Sequence, residues 1–367
     1  MKICNIGKII TAKIDGTNLT RDNYISTENM LSNCGGVFAS SSVPSTKVTR
    51  FSKRDVLLSN IRPYFKKVWF ARFDGGCSND VICIRANEKD CLSQYLYYAI
   101  STDSFIDSFS ASSKGTKMPR GDKNALLSYE IPDRTIDEQQ HIVDILGSID
   151  DSIENNEKII EALEEKMLLE CDSLISNASL SVSEMQEIFD ISIGKTPPRK
   201  ESHWFTENPE DVKWLSISDM GKAKVFAFDS SEKITAEGIE KYNVKIAPEN
   251  TVLLSFKLTI GKVAITGCEM ATNEAIAHFV SNDENIVEYL YCYLKRYNFD
   301  MLGNTSSIAT AVNSKTIKAM KFYYPDTESL VDFHRIAEPL IKKIKHLLIT
   351  NAKLNELKQL YLKKFFG

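Results

Sequence analysis

The stretch HIVDILGSIDDSIENNEKIIEALEEKM, residues 141–167, decides how this chain folds. Its apolar residues recur at alternating spacings of four and three, with one asparagine on the stripe. This spacing predicts a long amphipathic helix with a coiled-coil seam over nearly four heptads. The stripe consists of Ile142, Leu146, Ile149, Ile153, Asn156, Ile160, Leu163 and Met167.

A second stretch of this kind begins at His334, near the end of the sequence. Pro339 lies early in it, and a proline inside a helix removes a backbone donor and clashes with the preceding turn. We therefore expect this helix to kink or restart at Pro339. Its stripe is less regular after Asn351 and consists of Ile341, Ile344, Leu348, Asn351, Leu354, Leu357, Tyr361 and Phe365.

The two helices carry opposite net charges. Residues 136–182 contain 2 Lys and Arg against 12 Asp and Glu, whereas residues 327–367 contain 8 against 4. Because opposite charges beside a seam favour pairing, we predict that the two helices form an antiparallel coiled coil. The predicted seam residues are Ile149, Ile153, Asn156, Ile160 and Leu163 of the first helix, and Ile344, Leu348, Asn351 and Leu354 of the second.

Asn156 and Asn351 occupy corresponding places on the two stripes. A polar residue on an apolar seam can fix the register of helix pairing. An asparagine can equally lie at the wet end of an imperfect seam. The sequence leaves both interpretations open.

The chain repeats itself at an offset of 190–196 residues. Tyr24–Met30 matches Trp214–Met220, and Val56–Ser59 matches Val252–Ser255. Ordered matches of this kind predict a duplicated structural unit. The later matches pair Lys67 with Lys262, Asn79 with Asn273, Tyr95 with Tyr289, Ser112 with Ser306, Pro132 with Pro325, and His141 with His334.

The globular halves mix strand-like apolar runs with one short aromatic helix each, at 94–100 and 287–297. Short strands are expected to end at Ile131-Pro132 and Tyr324-Pro325. We therefore predict an α+β fold with a pseudo-twofold internal repeat. Its two related α+β domains, residues 1–135 and 179–326, are separated by two long helices, residues 136–178 and 327–367.

The composition excludes several classes of protein. Nowhere do eighteen apolar residues follow one another, so a membrane-spanning helix is not expected. The eight cysteines form no CxxC pair, which is typical of reduced core residues in a cytoplasmic protein. The net charge is −4, although residues 1–135 carry 19 basic against 13 acidic side chains and residues 183–326 carry 16 against 20.

None of the short strings that resemble catalytic motifs has the residue spacing that the motif requires. Gly194-Lys195-Thr196 resembles the end of a phosphate-binding loop, but Phe189 stands where that loop needs a glycine. No GxGxxG motif follows a strand, and the five histidines never fall near cysteines or carboxylates at metal-ligand spacing. We therefore expect this chain to be no enzyme and to hold no metal or cofactor.

The loops carry the residue types that hold phosphates and recognise base edges. Charged loops are also commonly no more than solvated surface, and this alternative stays open. The predicted DNA contacts of the first half are Arg50, Lys53, Arg54, Asn60, Arg62, Tyr64, Lys66, Lys114, Thr116, Lys117 and Arg120. Those of the second half are Lys195, Thr196, Arg199, Lys200, Ser216, Ser218, Lys257, Thr259, Ser306, Ser307, Asn313 and Lys315.

The segment Gly194-Lys-Thr-Pro-Pro-Arg-Lys200, followed by His203-Trp204 and Trp214–Met220, resembles the opening of a target recognition domain. The family it resembles is the specificity subunits of type I restriction-modification systems. Leu253–Lys262 is similar to a later landmark of that family, as is Ile131-Pro132 followed by Glu138-Gln139. The resemblance covers essentially the whole chain.

The resemblance implies a subunit that recognises double-stranded DNA through two target recognition domains separated by paired helices. Its target would be a bipartite asymmetric sequence whose central gap the helices span. It would recruit two methyltransferase subunits, which bind S-adenosylmethionine and methylate adenine. Adding a restriction (motor) subunit would turn the assembly into a restriction enzyme.

The chain departs from the family pattern in two places. Asp332-Phe333 stands where the first half has Glu138-Gln139, so partner contacts there are expected to differ. The second domain is also net acidic. The net acidity and the long helices favour a competing hypothesis, a coiled-coil interaction scaffold whose two domains bind protein or peptide. A complete methyltransferase or nuclease with degenerate motifs is a weaker alternative.

The paired helices are predicted to act as a ruler. A helix of about 40 residues spans roughly 60 Å, and two major-groove readers one helical turn apart need about 34 Å. Inserting a four-residue block into each helix should therefore lengthen the unspecified gap in the target. Base-resolution mapping of methylated adenines measures that gap, and an unchanged gap would show this prediction to be wrong.

Overall fold

The computed structural model describes residues 1–257, 259–302 and 312–367, and these divide into two compact units. Unit 1 comprises Met1–Ile153 with Lys353–Gly367, and unit 2 comprises Glu154–Ala352. Each unit thus combines a globular part with segments of both long helices. None of the helices in the described ranges has the length and apolar character that a membrane crossing requires.

The globular part of unit 1 contains short strands and short helices. Its strands are β1 (Gly7–Ile9), β2 (Lys13–Asp15), β3 (Tyr24–Ile25), β4 (Lys47–Phe51), β5 (Val56–Ser59), β6 (Val68–Phe70), β7 (Gly75–Cys77) and β8 (Val81–Ala86). Its helices are α1 (Ile3–Ile6), α2 (Ser93–Ile100), α3 (Asp103–Ala111) and α4 (Lys123–Ser128).

These strands form two four-stranded sheets. The first has the order β1-β8-β5-β6 and is antiparallel throughout. The second has the order β2-β4-β7-β3, in which β3 and β7 run parallel. Strand β5 is buried on both faces, because Val56 and Leu58 pack in one core with α2 while Leu57 packs in another with Phe51 and Trp69.

The globular part of unit 2 follows the first long helix, α5 (Ile136–Asn177). Its strands are β9 (Leu180–Glu184), β10 (Asp190–Ile193), β11 (Phe205–Thr206), β12 (Val212–Leu215), β13 (Phe226–Ala227), β14 (Glu232–Ile234), β15 (Ile246–Ala247), β16 (Val252–Ser255), β17 (Val263–Thr266), β18 (Met270–Thr272), β19 (Ile276–Val280) and β20 (Lys321–Pro325). Its helices are α6 (Met185–Ile188), α7 (Ile217–Lys222), α8 (Ala236–Tyr242), α9 (Val287–Arg296) and α10 (Ser314–Lys318). The second long helix, α11 (Thr327–Phe366), follows β20.

The strand order of unit 2 repeats that of unit 1. One sheet has the order β10-β19-β16-β17-β13, in which β19-β16-β17 corresponds to β8-β5-β6. The other has the order β11-β14-β12-β18-β15, and its parallel pair β12–β18 corresponds to β3–β7. Residues of β16 also alternate between two cores, with Val252 and Leu254 in one and Leu253 in the other. The predicted α+β fold with an internal repeat is confirmed.

The long helices begin before the histidines that open the two sequence stretches. Thr135 and Glu138 cap the start of α5: the Thr135 amide donates to the Glu138 carboxylate at 2.8 Å, and the Glu138 amide donates to Thr135 Oγ1 at 3.3 Å. His141 is exposed in the second turn. His334 lies at the start of the third turn of α11, with its Nδ1 3.0 Å from a carboxylate oxygen of Glu288. Neither histidine caps a helix.

Helix α11 runs without a break across Pro339, so the expected restart does not occur. Pro339 is exposed, and water can satisfy the carbonyl of Arg335 that the proline leaves without an amide donor. The strand expected to end at Ile131-Pro132 is not a full strand: only an isolated bridge between Lys2 and Glu130 forms there.

Contacts within each unit show how the long helices run. In unit 1, Lys358 Nζ donates to the Asp150 carboxylate at 2.6 Å, and Arg134 donates to the Phe365 carbonyl at 3.5 Å. As the residue number rises from 134 to 150 along the first helix region, the number of the contacted residue in α11 falls from 365 to 358. The helices are therefore antiparallel, as predicted.

The acidic side chains of α5 are used differently from the prediction. Asp150 pairs with Lys358 of the other helix, but acids further along α5 pair with cations of the globular part of unit 2. These ion pairs join Glu157 to Lys224 at 3.0 Å, Glu164 to Lys295 at 2.9 Å, and Glu165 to Arg296 at 3.3 Å. The helix charge therefore serves helix–domain packing in addition to helix–helix pairing.

Asn156 Nδ2 donates to Asn351 Oδ1 at 2.8 Å, so the two seam asparagines contact each other directly. Asn351 is 7% exposed, and removing a partner from a buried amide costs about 1–3 kcal/mol. We expect Asn156→Leu to lower the free energy of unfolding of unit 2 by that amount. The variant Asn156→Leu/Asn351→Leu should recover most of the loss.

Urea denaturation of the full chain measures this pair. Asn155→Leu is the matched control, because it makes the same change at an exposed neighbouring position. It should alter stability by less than about 0.5 kcal/mol. Equal stability of the wild type and Asn156→Leu would show that the asparagine pair contributes nothing to the seam.

Candidate nucleic-acid interface

The predicted DNA contacts of unit 1 lie at opposite ends of strand β5. Lys53 and Arg54 precede the strand, and Asn60 follows it. The predicted contacts therefore form two groups instead of one continuous cluster.

The group before β5 is partly engaged with acids. Arg54 adopts φ +75° and its guanidinium lies 3.1 Å from the Glu88 carboxylate. The Lys53 amide donates to Asp74 at 2.7 Å. Exposed Arg50 lines a cavity of about 520 Å³ together with Lys8 and Arg85.

The group after β5 is brought together by main-chain hydrogen bonds. We call residues Arg62–Lys66 the Tyr64 turn and residues Ser112–Arg120 the cationic loop. The Arg62 amide donates to the Pro119 carbonyl at 2.8 Å, and the Gly121 amide donates to the Asn60 carbonyl at 3.1 Å. These bonds place the predicted residues Asn60, Arg62, Tyr64 and Lys66 beside Lys114, Thr116, Lys117 and Arg120.

Neighbouring carboxylates hold several of these cations in place. Arg120 and Lys114 remain largely exposed in their pairs, whereas the side chain of Lys66 is only 12% exposed. Thr116 and Lys117 are exposed as well. The pairs are Lys66 with Asp103 at 2.7 Å, Arg120 with Asp80 at 2.8 Å, and Lys114 with Asp122 at 3.8 Å.

Two buried polar atoms, one just before the Tyr64 turn and one at its start, have no hydrogen-bond partner among the described residues: Oδ1 of Asn60 and Nε of Arg62. Buried polar groups are normally satisfied, so each exception needs a physical explanation. Lys67 is satisfied, because its Nζ donates to the Thr27 carbonyl at 2.6 Å, and burial lowers the pKa of its amine.

In unit 2 the segment Lys195–Lys200 packs against strand β12. Trp214 Nε1 donates to the Lys195 carbonyl at 3.1 Å, and the Thr196 hydroxyl donates to the Glu274 carboxylate. Gly194 is required here, because a Cβ at this position would lie about 2.1 Å from Thr272 Oγ1.

Arg199 is engaged on three sides. Its guanidinium carbon lies 4.0 Å from the ring centre of Phe205 and 4.7 Å from that of Trp214. It also donates to both carboxylate oxygens of Glu232, at 2.7 and 2.9 Å. A DNA contact by Arg199 stays a prediction, and its present contacts stabilise the segment.

Two of the predicted residues cap helices. The Ser216 hydroxyl accepts from the Asp219 amide at 3.1 Å, and Asn313 accepts from the Lys315 amide at 2.9 Å. Ser306 and Ser307 lie outside the described residues. The other predicted residues of unit 2 are exposed: Lys195, Lys200, Ser218, Lys257, Thr259 and Lys315.

Sequence analysis missed three exposed apolar residues near these cations: Phe65, Met118 and Ile260, which are 39%, 51% and 45% exposed. Phe65 and Met118 line a groove of about 210 Å³ with Arg62 and Lys67. Their proximity to Lys and Arg was visible in the sequence, but their exposure was not.

Gln139, assigned to partner contacts by resemblance, lies inside unit 1. Its side chain accepts from the Leu92 amide at 2.8 Å and donates to the Asp90 and Arg134 carbonyls at 3.1 and 3.0 Å. Phe333, of the pair Asp332-Phe333 that stands there in the second half, is buried in the core of unit 2. The difference between the halves is therefore a difference in packing.

Among the described residues, no group of three or more His, Cys, Asp and Glu could hold a metal ion.

The fold and the cationic turns define a class of protein: a duplicated α+β protein with two related domains and two paired long helices. Residues 2–165 and 179–359 each match the family profile described as "Type I restriction modification DNA specificity domain". The chain belongs to this family, and is thus a DNA-recognition subunit of a type I restriction-modification system.

Two curated relatives are similar in sequence. The type I restriction enzyme HindI specificity subunit of Haemophilus influenzae is 22% identical over 413 residues, covering 89% of this chain and 88% of that protein. The type I restriction enzyme MjaIX specificity subunit of Methanocaldococcus jannaschii is 26% identical over 154 residues, covering 40% of this chain and 34% of that protein.

A solved structure shares the fold. The S subunit of a type I restriction-modification system from M. genitalium has a TM-score of 0.60 and 17% sequence identity, and the match covers 100% of this chain and 95% of that one. This likeness concerns the arrangement of helices and strands.

Proposed function

We propose that the chain is the non-catalytic recognition subunit of its complex, and that each globular part recognises one half of a bipartite asymmetric DNA sequence. It recruits two methyltransferase subunits, which bind S-adenosylmethionine and methylate adenine. With a restriction subunit added, the same assembly cuts DNA that lacks the methyl groups. The complex acts on chromosomal DNA in the cytoplasm.

The observation that carries this proposal is a shared frame with different side chains. Strands β5-β6 and β16-β17 correspond, yet the turn after β5 presents Arg62 and Tyr64 where the turn after β16 presents Lys257 and Thr259. Hydrogen-bonding side chains at base edges determine which bases are recognised. Two similar frames with different side chains therefore suit two different half-sites.

The net acidity of unit 2 is compatible with DNA binding, because several acids are engaged internally. Glu232 holds Arg199, Asp219 caps α7, and Glu288 lies against His334. Hydrogen bonds from Ser216 and Ser231 lower the pKa of Asp219, which keeps its carboxylate ionised in this role although burial opposes the shift. These three acids therefore have partners within unit 2, and its loops expose the cations Lys195, Lys200 and Lys257.

The three cations of the cationic loop provide a test. We expect Lys114→Ala/Lys117→Ala/Arg120→Ala to weaken binding of duplex DNA to the full chain by about 10- to 100-fold at physiological salt. The slope of log affinity against log salt should fall in magnitude by about 3, since each lost phosphate contact removes about 0.9. Gel-shift titrations at several salt concentrations measure both quantities.

The control removes three cations outside the predicted set: Lys2→Ala/Lys89→Ala/Lys363→Ala, all exposed. It changes the net charge equally and should leave the salt slope nearly unchanged. Binding of the wild type that does not depend on salt would contradict the DNA proposal and favour the interaction scaffold. Mapping methylated adenines in cells with and without this chain would identify the target.

A further inference from the structure

The Tyr64 turn presents two aromatic rings to solvent. Tyr64 is 54% exposed and Phe65 is 39% exposed, and their ring centres lie 4.8 Å apart. Exposed apolar side chains that occur together on a soluble surface commonly mark a binding site. Met118 of the cationic loop, 51% exposed, lies beside Phe65 in the same groove.

The turn is held in a defined shape. Arg62 and Lys66 flank it with φ values of +48° and +53°, in the left-handed region that non-glycine residues rarely adopt. The Lys66 amide donates to the Pro63 carbonyl at 2.8 Å, closing the turn. The Asn33 amide donates to the Phe65 carbonyl at 3.0 Å, which ties the turn to a neighbouring loop. The aromatic pair is therefore presented on a fixed support.

The surroundings of the aromatic pair are cationic. The segments 59–67 and 112–121 contain six Lys and Arg and no Asp or Glu. Lys66 is 12% exposed and Lys67 donates to the Thr27 carbonyl, so the exposed cations are Lys114, Lys117 and Arg120 of the cationic loop. Two exposed aromatic side chains next to several cations are complementary to nucleic acid, which offers flat base faces between phosphates.

The internal repeat places a similar turn in unit 2. The Ser59 amide donates to the Lys67 carbonyl at 2.9 Å, and the Ser255 amide donates to the Lys262 carbonyl at the same distance. Gly261 has φ +86° and corresponds to Lys66, while Ile260, 45% exposed, stands in the place of Phe65. An apolar tip is thus present at the same position in both units, although its side chains differ.

We infer that Tyr64 and Phe65 insert as an apolar wedge between neighbouring base pairs of the first half of the DNA target. Apolar side chains that enter a base step unstack it and bend the duplex. The exposed cations of the cationic loop hold the phosphates beside the opened step. Ile260 contacts the second half-site in the same position. This inference rests on the proposed function, because it requires that unit 1 bind DNA.

The test uses target duplexes that carry 2-aminopurine at one adenine of the first half-site at a time. This base fluoresces weakly when stacked and strongly when unstacked. Wild-type chain should raise the fluorescence severalfold at one step. Tyr64→Ala/Phe65→Ala should abolish the rise and weaken binding about 5- to 150-fold, the range for loss of base–aromatic stacking.

Two features separate a wedge from other roles of these residues. The salt slope should stay the same in Tyr64→Ala/Phe65→Ala, because no cation is lost, and Tyr64→Phe should behave as the wild type. Leu360→Ala is the control, because Leu360 is 66% exposed on α11. Hydrogen exchange of strands β5 and β6 checks that unit 1 remains folded in each variant.

The outcomes are distinct. No salt-dependent binding by the wild type would overturn the proposed function and the wedge together. Normal binding and an unchanged fluorescence rise in Tyr64→Ala/Phe65→Ala would overturn the wedge alone. Normal DNA binding with lost association of methyltransferase subunits would also overturn it, and would make the tip a protein contact.

Discussion

Asp55→Ala is expected to lower the free energy of unfolding of unit 1 by about 3 kcal/mol, the upper end of the usual range for losing hydrogen bonds to a charged group. The side chain of Asp55 is 2% exposed. It accepts from Nε and Nη2 of Arg85 at 2.7 Å each, and from the Ser52 amide at 2.7 Å. Removing it leaves these donors without their acceptor between strands β4, β5 and β8.

Native-state hydrogen exchange measures this loss locally. Amides of β5 and β8 in the full chain should lose protection, while those of β16 and β19 in unit 2 should keep it. Asp74→Ala is the matched control, because Asp74 is exposed in the same unit and also accepts from a backbone amide, that of Lys53. If Asp55→Ala and Asp74→Ala reduced protection equally, the buried carboxylate of Asp55 would not be the cause.

Unit 2 is expected to lose about 3 kcal/mol of stability between pH 7 and pH 4 through His278 alone. His278 is fully buried in β19, and burial lowers its pKa from 6.5 to about 4. Ser192 Oγ lies 3.1 Å from its Nδ1 and Thr272 Oγ1 lies 2.6 Å from its Nε2. These contacts serve a neutral imidazole, in which one nitrogen donates and the other accepts.

The direction of the effect follows from proton linkage. Above pH 6.5 the imidazole is neutral in the folded and the unfolded chain, and the stability is complete. As the pH falls below 6.5, His278 binds a proton in the unfolded chain, whereas in the folded chain it stays neutral until about pH 4. A difference of one in pKa corresponds to about 1.4 kcal/mol, so the interval from 6.5 to about 4 amounts to about 3 kcal/mol.

Urea denaturation at several pH values tests this expectation. In a Trp69→Phe background the two remaining tryptophans, Trp204 and Trp214, both report on unit 2. His278→Gln should reduce the loss of stability by about 3 kcal/mol. His203→Gln, at an exposed position, should leave it unchanged. The same pH dependence in wild type and His278→Gln would rule out His278 as the titrating group.

The duplication gives the protein two similar sets of strands. The side chains on the turns that follow β5 and β16 differ between the two units. Unit 1 presents Tyr64 and Phe65 where unit 2 presents Thr259 and Ile260, and Arg62 where unit 2 presents Lys257. The strand order behind these residues is the same in both units. Because β5 and β16 are buried on both faces, changes at the exposed turns can alter recognition without disturbing the cores.

The candidate site was predictable only in part. Position in a loop and residue type predicted the cations of Lys114–Arg120, and the structure joins them to the Tyr64 turn. The sequence did not reveal that Ser216 and Asn313 cap helices, or that Arg199 lies between aromatic rings and Glu232. These contacts join residues whose proximity depends on the folded chain.

The sequence by itself determined the long helices, the repeat and the main strands, because each leaves a periodic pattern in neighbouring residues. The spacing of apolar residues predicted α5 and α11, and the matched strings predicted that β5 and β16 are equivalent. Only the tertiary structure decided that α11 continues through Pro339, that Glu164 pairs with Lys295, and that Tyr64 and Phe65 face solvent. The reason is physical: periodicity is a local property, whereas exposure and ion pairing depend on which distant segments come together.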